Sequence, residues 1–276
     1  MPAPVKAQLA ELTKTFFRAK MIPLPMDWAS PGVQYPDAFE VAELAVAPNP
    51  PTNLFREVSF NKYHVDTAGD IGKDFETYID GISDAICDAI DKWMKLAMFT
   101  SAIITGPVGI VTPGSVMGPS LTPFILAKGP QSTPMELKYT TAIAQAFGIN
   151  WQAWHMGMMG TLMYPAFAAF PGPMGPPTPN VPMPLITFPS GTESMLSPST
   201  NKATMVGFFA DPDAPHADDL FDSIAQAFFV VFQTFKVSTM VTNVLGMGPI
   251  PTFAPPVVPV GPVVGGTVIP KPGVFT

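Results

Sequence analysis

The sequence predicts a mainly α chain: three amphipathic helices, each followed by a Pro/Gly-rich extended arm, with little regular sheet. Three observations predict it. Segments starting at Ile82, Ile143 and Ile224 align without a gap, so that Ala85, Ala146 and Ala227 share a column, as do Trp93, Trp154 and Phe235, and Thr100, Thr161 and Thr242. These columns are spaced to stay near one helical face. Next, each helical stretch runs into Gly106-Pro107, Tyr164-Pro165 or Gly248-Pro249, and proline disfavours helical backbone in the residue before it. Finally, each unit closes on a proline-studded apolar stretch, VGIVTPGSVMGPSLTPFIL, PGPMGPPTPNVPMPLITFP and IPTFAPPVVPVGPVVGGTVIP. Proline fixes φ and is confined to edges and bulges of sheets, so these stretches read as extended arms.

The elements follow in order. Residues 1–72 form an N-terminal segment. Residues 4–20 have the pattern of a short amphipathic helix, and 21–65 read as loop, punctuated by Pro23, Pro25, Pro31, Pro36, Pro48, Pro50 and Pro51. Asp66 or Thr67 is placed to cap the helix that follows. Residues 73–130 are the first helix–arm unit, with Ile82, Ala85, Ala89, Trp93, Leu96 and Thr100 as its apolar stripe. Residues 131–210 are the second unit and 211–276 the third. The stretch DPDAPHADD, Asp211 to Asp219, sets acidic side chains at the positive end of the third helix. Spacings between units are too uneven for a regular solenoid. The tail Pro251–Thr276 is the third arm, so its deletion is expected to leave a foldable helical core.

Composition narrows the function. The chain has 276 residues, 35 of them proline, against a usual share of about 5%. Charged residues make up 13% and hydrophobic ones 47%. A chain with much to bury and little charge to coat itself suits an exterior partly covered by other chains. Net charge is −7, and the 14 basic residues are scattered, so no nucleic-acid partner is expected. Leu96–Ala127, Tyr139–Thr192 and Val237–Pro270 contain no Asp, Glu, Lys or Arg. Gly and Pro interrupt each stretch, so membrane contact is possible but not favoured. The N-terminus MPAPVKAQLAELTKTFFRAKM has no apolar core region or cleavage site, so no secretory signal is expected there.

No catalytic, cofactor or metal site is expected. There is no GxSxG, Walker A, GxGxxG or HExxH pattern. His64, His155 and His216 are isolated, and Cys87 reads as a small core residue without an activating neighbour. The acidic runs Asp66, Asp70, Asp74 and Asp211, Asp213, Asp218, Asp219, Asp222 lack the glycine turn and final Glu of a calcium loop. The methionines of HMGMMGTLM, His155 to Met163, read as fillers of close helix packing. The side chains expected at contacts between subunits are Ile82, Trp93, Ile143, Trp154, Ile224 and Phe235 on the helices, and Pro255, Val258 and Val263 on the last arm. Large aromatics dominate buried contacts.

Helices ending in GPVGIVTPGSVMGP and GPIPTFAPPVVPVGPVVGG resemble small structural proteins of tailed phages and phage-derived contractile injection systems. The resemblance covers roughly residues 73–276. It implies a non-enzymatic assembly subunit in a tail, baseplate, neck or capsid-associated position, assembled in the cytoplasm. Its partners would be other structural subunits, including copies of itself. A membrane-active component is the alternative reading.

Overall fold

The structure is a computed structural model. It describes residues 4–20, 51–168, 173–214, 216–251 and 260–276, with side chains outside 51–71 and 260–261. Most of the proline-rich loop expected over 21–65 therefore lies outside the described residues, as do Pro255 and Val258. The part of it that is described is helical.

Six α-helices are present among the described residues: α1 (Lys6–Arg18), α2 (Pro51–Leu96), α3 (Thr122–Lys128), α4 (Pro134–Met156), α5 (Pro198–Phe209) and α6 (Ala217–Ser238). The expectation of three helices with arms and little sheet is corrected on both counts. α2 begins at Pro51, not near Asp66, and so absorbs the expected cap. From Thr52 to Leu96 the chain has no proline; Pro51 itself is tolerated in a first helical turn. Gly69, Gly72 and Gly81 cost about 1 kcal/mol each in a helix interior but do not stop it. α4 begins with a capping box in which Thr133 and Glu136 satisfy each other's backbone N–H groups, with Pro134 next to the cap. α6 begins at Ala217 with Asp218 and Asp219 in its first turn, as DPDAPHADD predicts.

The helices stop well before the Gly-Pro and Tyr-Pro marks. After Leu96, Met156 and Ser238 the chain turns into strands: β1 (Met98–Phe99), β2 (Ile103–Thr105), β3 (Val108–Val111), β4 (Val116–Met117), β5 (Gly160–Met163), β6 (Phe167–Ala168), β7 (Thr178–Pro179), β8 (Met183–Pro184), β9 (Met240–Val241), β10 (Leu245–Met247), β11 (Val260–Gly261) and β12 (Val264–Ile269). Thr100, Ile103, Ile104 and Thr105, and likewise Val241, Thr242 and Val244, are β-branched and lose rotamer freedom in a helix. Gly106-Pro107 ends no helix; it is the two-residue turn of the β2–β3 hairpin. Thr105 there pairs with Val108, and Gly106 has φ +62°. Glycine at the first central position of a two-residue hairpin takes that φ without strain.

The described parts of the arms are not free. Six strands form one antiparallel sheet in the order β5–β3–β2–β12–β10–β7, curled into a half-barrel. Proline is accommodated because it sits at turns, strand ends and edges, as Pro107 and Pro179 do. The third arm supplies β12, an interior strand, and ends with Val274 and Phe275 buried in the core. The expectation that Pro251–Thr276 can be removed from a foldable core is therefore corrected.

The chain passes three times through one order of elements: short helix, long helix, stub strand, two sheet strands, and a return that pairs with the stub. The stub–return pairs are Phe99 with Val116, Met158 with Ser190, and Val241 with Phe275. The helices pack in a closed ring, α1–α2–α3–α4–α5–α6–α1. Ion pairs run along it. Lys14 meets Asp80 at 2.6 Å and Arg18 meets Glu76 at 2.6 Å between α1 and α2, while Lys20, just past α1, pairs with Asp222 of α6. In the sheet, the second strand of each unit pairs with the first strand of the next: β3 with β5, β7 with β10, and β12 with β2. The ladder missing from a closed six-stranded barrel is the one between β5 and β7, and there Val181 N–H donates to the Met163 carbonyl at 2.7 Å. Ring and sheet therefore share one approximate threefold axis.

Candidate interaction surface

The long helices meet at that axis through the aromatic column. Trp93, Trp154 and Phe235 are buried, and the Trp93 and Trp154 rings lie 6.0 Å apart. Trp151 links the third helix, at 5.2 Å from Trp93 and 5.9 Å from Phe235. Phe275 closes the cluster, 5.0 Å from Trp93 and 5.8 Å from Phe99. Ile82, Ile143, Ile224 and Val263 are buried in the same core. The described residues expected to meet a neighbouring subunit are thus covered by this chain itself, and leave no surface for another. The aromatic stripe is legible as a contact; its partner is the same chain, because three stripes face one axis.

Beside this column lies His155, fully covered, its Nδ1 2.9 Å from the Trp151 carbonyl oxygen. Burial holds its imidazole neutral, lowering it to about 4. His216 is the residue before α6, in a left-handed conformation, and the side chain of His64 lies outside the described residues. Cys87 is buried on α2, and burial, with the nearby Asp84 charge, pushes its thiol up to about 12. Among the described residues the charged groups lie in and beside the helices, except Lys271, which follows β12. For Asp84, burial opposes ionisation, but Lys128 at 3.0 Å and Lys6 at 3.4 Å outweigh it and hold the carboxyl below its usual range. Lys92, and then Lys128, do the same for Asp88. Among the described residues no group of three or more His, Cys, Asp or Glu side chains is placed to hold a metal ion.

The sheet differs from the helices in kind. Every strand falls within the three stretches that lack Asp, Glu, Lys and Arg. Its inner face is filled by Ile104, Leu162, Tyr164 and Val268, with Gly109, Gly246 and Gly266 making room. A Cβ on Gly246 would lie 2.7 Å from both Ile104 Cδ1 and Tyr164 Cε1. Strand alternation then turns the next residues outward. Ile103 is 62% exposed, Ile110 52% and Val264 51%, with Met163 also exposed and Thr105, Thr161 and Thr267 between them. Ile103 and Ile110 are direct cross-strand partners. Single exposed apolar residues are ordinary, but a run of them on a sheet without charge makes this face the candidate interaction surface.

The methionine cluster also belongs to the surface around this sheet. Met158 is buried in the core, but Met156, Met159 and Met163 are exposed, so the expected filler role in helix packing is corrected for those three. What the sequence did not reveal is that Ile103, Ile110 and Val264 share a face. Val264 lies far along the chain from the Ile103–Ile110 hairpin, and the uncharged composition of all three stretches was the available signal. By length and composition one helix among the described residues, α6, could cross a membrane, and 61% of its apolar window is buried in the core. No family model, curated protein or solved structure matches this chain.

Proposed function

We propose that this chain is a non-enzymatic assembly subunit of a phage-like particle, docking onto neighbouring subunits through the outer face of its sheet. The observation that carries this reading is the partition of the molecule. Among the described residues every charge but Lys271, which follows β12, lies in or beside an ion-paired helix ring, and the sheet presents exposed Ile103, Ile110 and Val264 with no charged residue in any strand. Such a face loses little on leaving water, because no charge has to be desolvated. The resemblance to phage structural proteins supplies the kind of assembly: tail, baseplate, neck or capsid-associated, built in the cytoplasm. Free arms are no part of the proposal, since the described arm residues are built into the chain's own fold.

The test is native purification of the tagged chain from its own cells, followed by gradient sedimentation and electron microscopy. Co-sedimentation with particles of regular shape is expected. Recovery solely as a free monomer from cells that make such particles refutes the reading. The uncharged sheet face also gives the membrane-active reading its one observation; flotation of the purified chain with liposomes, resistant to salt, would favour it instead.

A further inference from the structure

We infer that the partner of the sheet face is a protein oligomer with threefold rotational symmetry, or a multiple of it, seated on the approximate threefold axis of this chain. The inference rests on the assembly reading above and goes beyond it. Each unit offers the partner a first strand paired to the second strand of its neighbour, in the same cyclic sense: β2 to β12, β5 to β3, and β10 to β7. Closed oligomers are built by rotation about an axis. A single ordinary subunit placed on a threefold axis can satisfy one protomer's binding surface at a time. A chain whose three units surround the axis can meet three protomers through three similarly paired strands at once. Binding three such sites on one rigid body raises the effective concentration at the second and third contacts.

Charge specifies the partner's chemistry. The strands carry no ionisable side chain on any of the three sides. An acidic or basic partner would bury unpaired charge on contact, at several kcal/mol per ion. The facing surface is therefore uncharged, with apolar and hydroxyl side chains to match the exposed Ile103, Ile110, Val264 and Thr161. Thr105, Met163 and Met247 mark corresponding places. Thr105 pairs with Val264 and Met163 with Val108, each where a neighbour's second strand begins. Met247 is the residue after Gly246, which pairs with Thr178 where β7 begins.

The test places a photo-crosslinking residue at Thr105, Met163 or Met247, one at a time, in the full chain in its own cells. The expected result is that all three sites crosslink to the same short segment of one partner polypeptide. Native mass spectrometry of the complex should show three partner chains, or a multiple of three, for each copy of this chain. Crosslinks to three different segments or proteins, to another copy of this chain, or to no protein overturn the inference; so does one-to-one stoichiometry. Ile103→Lys and Ile110→Lys should each cut co-assembly at least tenfold with an unchanged melting temperature, whereas Phe208→Lys on the exposed side of α5 should not. If the wild-type chain sediments with particles but its crosslinks are unrelated, the assembly reading stands and the symmetry inference falls. If it never enters a particle, the assembly reading itself fails.

Discussion

Replacing Phe275 by alanine tests whether the tail is part of the core. Phe275 is the penultimate residue, and its ring is 4% exposed, against Trp93 and Phe99. Truncating a buried phenylalanine removes its transfer free energy and leaves a cavity, together about 3–5 kcal/mol. The lower half of that range is expected here, because Phe275 is joined to Val241 by a single bridge, which can relax into the space more readily than an interior strand. Two backbone hydrogen bonds between Met240 and Thr276, at 2.7 and 2.9 Å, limit that relaxation. About 3–4 kcal/mol corresponds to a fall in melting temperature on the order of 10 °C for a chain of this size. Calorimetry and urea unfolding followed by tryptophan fluorescence would read it, since Trp93 reports the same site. Phe208→Ala, on a 40% exposed ring, is the control and should stay within about 0.5 kcal/mol. Were Phe275→Ala to unfold at the wild-type midpoint, the tail would be an appendage and the placement of β12 and the return strand would be wrong.

Three further outcomes follow from the packing. Because the folded chain holds His155 neutral down to about pH 4 while the unfolded chain protonates it near its usual 6.5, stability is fully present above about 6.5. It is lost as pH falls from there toward 4, by about 3 kcal/mol; His155→Leu should flatten the pH dependence of the urea midpoint over that window, and identical slopes would count against the burial argument. Gly248→Ala places a Cβ 2.5 Å from the Cα of Gly266 in the adjoining backbone, so a loss of about 1–3 kcal/mol is expected, and a neutral result in thermal melts would mean the two segments do not approach so closely. Cys87 should react with a thiol reagent at pH 8 only as fast as the chain opens, and rapid labelling of the native protein would contradict its burial.

The aromatic and Ile–Ala columns show how much of the fold is legible in the residue pattern alone. Their period places Ile82, Trp93, Ile143, Trp154, Ile224 and Phe235 on apolar helical faces, and those faces are buried. The pattern misplaces the end of each helix, because proline is a conspicuous signal and β-branched residues such as Ile103 and Ile104 a quiet one. Short strands of two to six residues have too little alternation to stand out, and the prolines beside them argue the other way. The exposed face is not legible at all as a surface, since Ile110 and Val264 come onto one face, on either side of β2, only through the pairing of β3, β2 and β12.

The sequence by itself determined that three similar units exist, that charge is withheld from three long stretches, and that each unit carries an apolar helix face. These are properties of composition and local period, which act within a few residues along the chain. Tertiary structure alone decided what those faces cover. Three amphipathic helices can bury their stripes against other chains or against one another, and period does not distinguish the two. Closing the ring through α1 and passing each second strand to the next unit put the stripes on one axis and the uncharged strands on one sheet. The greasy tail that looks like a free arm supplies an interior strand, because Val263, Val268, Val274 and Phe275 find the missing side of that core.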